Sequence, residues 1–162
     1  MSEPTTPIAG PGGADDNPLL LERQVCFALA VANRSVLRIY RRVLDPLGLT
    51  HPQYLVMLAL WETSPQAVKE IGAALQLDSA TLSPLLKRLE ATGLIERRRR
   101  DDDVRNVDVD LTAAGRALRE QALSIPTAVV DALGVDRADL EELHSVLTRV
   151  NAAAVRAAHE PG

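Results

Sequence analysis

Aromatic side chains are nearly missing from this 162-residue chain: Phe27, Tyr40, Tyr54 and Trp61 are all it has. The apolar content comes instead from Ala, Leu and Val in long stretches of helical periodicity, which points to a mainly α fold with one small hairpin. Cysteine is almost absent too. The lone Cys26 excludes an intrachain disulfide framework and suits a reducing, cytoplasmic setting. No apolar run is long enough to cross a bilayer, so no membrane partner is expected. The N-terminus carries Glu3, Asp15 and Asp16 without a basic segment, unlike a secretory signal. His51, His144 and His159 lack the spacing of metal ligands, so neither a metal nor a cofactor is expected. Positive charge is also in deficit, at a net −4. That argues against indiscriminate coating of nucleic acid, though not against specific binding, which depends on where the cations stand.

What is present is ordered along the chain. Residues 1–18 are rich in Pro, Gly, Thr and Asp and read as a disordered arm. The remainder, 19–162, reads as a single domain. Leu21, Val25, Ala28, Ala32, Val36, Ile39 and Val43 predict a long helix from Leu19 to Leu44, stopped by Asp45-Pro46-Leu47-Gly48. Thr50 can cap a buried helix opened by His51 and Pro52. A short amphipathic helix over Ala67 to Leu75, a tight connector and a helix from Asp78 or Ser79 to Thr92 follow, with Gly93 as the stop. Ile95 to Arg100 and Asn106 to Leu111 read as two strands, since Val107, Val109 and Leu111 alternate with Asp108 and Asp110. Thr112 caps a helix to about Leu123, which can continue with a kink past Pro126. The last helix, capped by Asp136, lines up Leu140, Leu143, Leu147 and Val150.

The segment 50–111 is therefore a winged helix–turn–helix pattern. Residues 19–48 and 112–160 are the long terminal helices, whose apolar faces find each other in a second copy. Such a homodimer offers two recognition helices to one palindromic operator in double-stranded DNA. Helix–turn–helix logic assigns base and phosphate contacts to Ser79, Thr81, Leu82 and Ser83, with Lys87 and Arg88 on the backbone. Between Lys87 and Arg105 seven cations face five acids. Arg97 and Arg98 can lie along the phosphates, and Arg105, oriented by Asp103, can enter a narrow minor groove. Pro84 leaves two possibilities: an interior proline, or a helix that starts at Ser83.

Three segments, Gln24 to Leu29, Leu49 to Leu55 and Leu77 to Glu90, together with Asp103-Val104-Arg105 and Leu111-Thr112, resemble the MarR family of winged-helix repressors. The first and third, Pro84 included, resemble its organic-hydroperoxide-sensing branch. The resemblance implies a DNA-binding repressor, not an enzyme, whose Cys26 is oxidised by an organic hydroperoxide to a sulfenic acid, after which the operator is released. It also implies hydrogen bonds to that sulfur from Tyr40 and from the position of His51 in the other subunit. Family members carry tyrosine where this chain has His51, and sometimes where it has Ala30. An imidazolium there would favour a thiolate and add a pH dependence.

From the residues alone, Cys26 stands too deep in a helix begun at Leu19 to feel the helix dipole, and Arg23 is the local cation. With no second cysteine, the sulfenate must meet a small cellular thiol, a backbone nitrogen or more oxidant. Mixed-disulfide formation would release DNA reversibly, and over-oxidation permanently. A second reading keeps the repressor but releases it by a small aromatic ligand, with Cys26 a packing residue. An enzyme using Cys26 and His51 as nucleophile and base lacks other convergent polar groups.

Overall fold

The computed structural model describes residues 18–99 and 106–159. The chain divides into two compact units between Val36 and Leu37. In the first, Gln24 decides where helix begins. Its Nε2 donates to the carbonyls of Pro18 (2.8 Å) and Leu20 (3.2 Å). Leu21–Arg23 form a 3-10 turn, and Gln24 itself is extended. Helix α1 is therefore Val25–Leu44, six residues shorter at its start than the apolar periodicity predicts. All of Leu21 to Arg34 is exposed, including Val25, Phe27, Leu29 and Val31.

The second unit opens on the last turns of α1. Leu44 is fully buried, and Gly48 ends the following 3-10 turn at φ +66°, the left-handed conformation that glycine adopts without strain. Thr50 and Gln53 then close a reciprocal cap. Thr50 Oγ1 accepts from Gln53 N, and Gln53 Oε1 accepts from Thr50 N at 2.9 Å. Helix α2 (His51–Glu62) buries Gln53, Tyr54, Val56, Met57 and Leu60 and is the central helix, as its apolar content requires.

After α2 comes strand β1 (Gln66–Ala67), which no sequence signal marks. Helix α3 (Val68–Leu75) follows, begun by Glu70 accepting the Ala67 N–H at 2.8 Å. Gln76 turns the chain at φ +53°. Helix α4 (Ser79–Ala91) starts where Asp78 Oδ1 accepts the Thr81 N–H at 2.7 Å. Asp78 is thus the cap, and Pro84 is inside the helix, where it deprives the Ala80 carbonyl of its intrahelical donor.

Strands β2 (Ile95–Arg99) and β3 (Val107–Leu111) pair antiparallel, Ile95 opposite Leu111 and Arg99 opposite Val107. β1 adds to the far edge of β3, giving the order β1-β3-β2. Helices α5 (Ala113–Ala122) and α6 (Ile125–Leu133) are separate rather than one kinked helix. Pro126 has no N–H to continue α5 and serves instead in the first turn of α6. Helix α7 (Arg137–His159) buries none of its residues. Among the described residues no helix is long and apolar enough to cross a membrane.

The core gathers Leu44, Val56, Met57, Leu60, Ile71, Leu82, Leu86, Leu89, Ile95 and Val109, each such side chain contributing about 1.5–3 kcal/mol. The strands are fastened to this core through α5. Thr112 Oγ1 accepts the Gly115 N–H (3.1 Å) and donates to the Gly93 carbonyl (2.6 Å). Trp61 Nε1 donates to the Gly115 carbonyl at 2.9 Å. The Asp110 carboxylate accepts from Ser64 Oγ (2.6 Å) and Arg116 Nη2 (2.8 Å). The Ser64 hydroxyl beside it, with the Leu111 N–H and Arg116, holds Asp110 below the ordinary carboxylate range.

Candidate functional site

Helix α4 has a period that decides its chemistry. Leu82, Leu86 and Leu89 form one buried stripe, which leaves the rows Ser79-Ser83-Lys87 and Ala80-Pro84-Arg88 in solvent, with Thr81 exposed at their edge. Ser79, Thr81, Ser83, Lys87 and Arg88 are therefore all accessible to solvent. Leu82 is not. At 1% exposure its side chain belongs to the core, and its assignment to the DNA contacts is corrected. Lys87 and Arg88 make no ion pair among the described residues. The Thr81 backbone N–H, with its hydroxyl, keeps the Asp78 carboxyl below its usual value, so the cap stays ionised.

The strand arginines differ from the expectation. Arg97 donates through Nε (2.9 Å) and Nη2 (2.5 Å) to Glu90 Oε2 on α4, and Arg98 pairs with Glu96 on its own strand. Both guanidinium groups already have carboxylate partners within the chain. Asp103 and Arg105, the residues assigned to the wing tip, lie outside the described residues.

The residues assigned to sulfur chemistry divide between the two units. In the first, Cys26 is exposed and is the second residue of α1. This reverses the sequence expectation: the first turn is where unpaired backbone N–H groups favour negative charge. In the second, Tyr40 and His51 are in edge contact, ring centroids 4.6 Å apart, and an aromatic series continues through Tyr54 to Trp61. Burial raises the Tyr40 phenol, which keeps it a hydrogen-bond donor at neutral pH. Burial lowers His51 from its ordinary value, which disfavours the imidazolium that the sequence left open and favours the neutral ring. Beside His51 opens a groove of about 520 Å³ lined by Leu37, Arg41, Asp45, Leu49, Thr50 and Pro52.

Sequence reasoning missed Glu90, Ser64, Asp110 and Arg116 as the groups that tie strands to helices. Their partners are 6 to 46 residues away and on a different element or loop, where no helix or strand period points.

A buried-stripe helix following a tight turn, with an antiparallel hairpin fastened behind it, defines a winged helix–turn–helix protein. The MarR family model matches residues 49–107. The organic hydroperoxide resistance transcriptional regulator of Bacillus subtilis (strain 168) is 43% identical over 127 residues, covering 78% of this chain and 86% of that one. The regulator TtmR of Methylorubrum extorquens (strain PA1) is 43% identical over 158 residues, covering 95% and 80%. Among solved structures, reduced AbfR bound to DNA superposes with a TM-score of 0.77 at 32% identity, over 86% of this chain and 95% of that one. Overoxidised AbfR bound to DNA gives 0.65 at 36%, over 80% and 94%; AbfR is a protein of Staphylococcus epidermidis. The chain belongs to the MarR family of DNA-binding transcriptional regulators, which are not enzymes.

Proposed function

We propose that this protein is a homodimeric, cytoplasmic repressor of a palindromic operator that lets go of DNA when an organic hydroperoxide oxidises Cys26. The observation that carries this reading is the exposed thiol of Cys26, the only one in the chain, in the first turn of α1. The hydroperoxide relative named above supports it. The thiolate attacks one oxygen of the peroxide, the O–O bond breaks, sulfur loses two electrons, and the alkoxide takes a proton to leave as an alcohol. A small cellular thiol then displaces water from the sulfenic acid to form a mixed disulfide. Tyr40 and the neutral His51 of the second subunit are the proposed hydrogen-bond partners of the sulfur, and the groove beside His51 admits the alkyl group.

Dimerisation through the terminal helices, 19–48 and 112–160, is part of the same proposal. α1 exposes Val25, Phe27, Leu29 and Val31, and α7 exposes Leu143, Val146, Leu147, Val150 and Val155. A second copy covers such faces. The bound duplex meets Ser79, Thr81, Ser83, Lys87 and Arg88, and Arg105 oriented by Asp103 is the proposed wing contact. AbfR has been solved on DNA in its overoxidised form. The releasing species proposed here is accordingly the mixed disulfide rather than the sulfinate.

A second reading, release by a small aromatic ligand, is favoured by one observation. A groove of about 370 Å³ is walled by Tyr54, Leu58, Trp61 and Ala122, with Arg119 lining it too. Cys26→Ser separates the two. It should bind the operator as tightly as the wild type and stay bound when cumene hydroperoxide and a thiol are added. Release equal to that of the wild type would remove Cys26 from the mechanism.

A further inference from the structure

The reading helix and the first wing strand are joined by one turn and one ion pair. The turn is closed by backbone: Gly93 N–H to the Glu90 carbonyl (3.0 Å) and Leu94 N–H to the Leu89 carbonyl (3.1 Å). The ion pair bridges it. Glu90 is one residue from the end of α4, and Arg97 stands opposite Val109 on the strand face that also carries the buried Ile95. The guanidinium turns back across the turn, and two of its nitrogens donate to the single oxygen Oε2 of Glu90, at 2.9 and 2.5 Å. The two side chains are 33% and 36% exposed, so water reaches the pair without dissolving it.

We propose that Glu90 and Arg97 act as a brace that fixes the angle between α4 and the wing, making both of them positioning residues for DNA binding, neither of which touches DNA. The inference rests on the DNA-binding reading of α4 and the wing. A duplex must meet the helix face and the wing together, so a wing free to swing adds conformational entropy that binding has to remove. Arg98 does not share this role, because its partner Glu96 is on the same strand and ties nothing across the turn.

Charge alone predicts the opposite sign, which makes the test decisive. Glu90 is an acid beside a face that meets phosphates, so simple electrostatics has Glu90→Gln bind more tightly. A brace has it bind less tightly. The probe is a duplex selected from random sequence by the full-length wild-type protein; failure to select any would count against DNA binding itself rather than against the brace.

Glu90→Gln and Arg97→Gln should each weaken binding about tenfold, and the double variant should be no weaker than either single one. The slope of log affinity against log salt should stay unchanged, whereas losing a phosphate contact would lower it by about 0.9 for each arginine. The swapped variant E90R/R97E, with the pair reversed, should recover part of the affinity, and thermal unfolding of each variant shows that the comparison is between folded proteins. Tighter binding by Glu90→Gln, a flattened slope for Arg97→Gln, or a swap no better than the singles would each overturn the brace.

Discussion

Gly115→Ala sets a helix rule against a packing constraint, and the two predict opposite signs. Gly115 is the third residue of α5, and alanine is the better helix former by about 1 kcal/mol, so propensity alone predicts a more stable protein. The tertiary structure forbids it. A β-carbon on Gly115 would stand 2.0 Å from the Leu94 carbonyl oxygen, 3.1 Å from its carbon and 3.2 Å from Leu111 Cδ2. The carbonyl cannot swing aside, because it accepts the Thr112 N–H at 3.1 Å while the Leu94 N–H is held by Leu89.

Relief requires α5 to retreat, which draws the Gly115 carbonyl from Trp61 Nε1 and Thr112 Oγ1 from Gly93. Overpacking costs about 1–3 kcal/mol and each lost hydrogen bond about 1 kcal/mol, so the net loss after the propensity gain is about 2–4 kcal/mol. For a chain of this size that lowers Tm by about 5–15 °C. Circular dichroism melts at matched concentration measure it, since dimers melt in a concentration-dependent way. Gly93→Ala is the control: at φ +76° it meets nothing within 4 Å, so only backbone strain of about 1–2 kcal/mol applies. A Gly115→Ala protein as stable as the wild type, or more so, would refute the reasoning.

Two other outcomes follow from burial. Leu82→Ala should cost about 2–5 kcal/mol in denaturant unfolding while leaving the preferred DNA bases unchanged; a shifted base preference in a selection experiment would return Leu82 to the reading face. His51, held below its ordinary value by burial, makes the unfolded chain take up a proton first as pH falls. Its contribution is complete above about pH 6.5 and is lost progressively below that until the folded imidazole protonates too. His51→Gln should therefore lose less stability than the wild type on going from pH 7 to mildly acid solution, and equal losses would show that the imidazole is not desolvated.

Local chemistry was legible because it repeats over a few residues. The caps at Thr50, Asp78 and Thr112 are read from short hydroxyl or carboxylate side chains before a helix, and all three accept a backbone N–H. The alternation of Val107 to Leu111 gave β3, and the period of α4 gave its amphipathic face. The errors fall where a decision needed a partner from elsewhere. The two residues of β1 are too few to show a period and exist only because β3 accepts them. α1 starts late because Gln24 binds carbonyls six and four residues back, which no apolar pattern reveals. Leu82 was given to DNA because position in a recognition helix was weighed above its place on the buried stripe.

The amino-acid order alone determined the helical class, the strand pair of the wing, the hydroxyl and cationic residues of α4 and the solitary sulfur of Cys26. Each of these is fixed by side-chain chemistry and by periods of two or 3.6 residues. Only the folded chain decided that Arg97 answers to Glu90, that burial disfavours a charge on His51, that Gly115 leaves room for a carbonyl and that Cys26 stands in the first turn of a helix instead of deep within one. The reason is common to all four. Charge state, free volume and pairing are properties of a neighbourhood, and these neighbours come together only when separate elements pack.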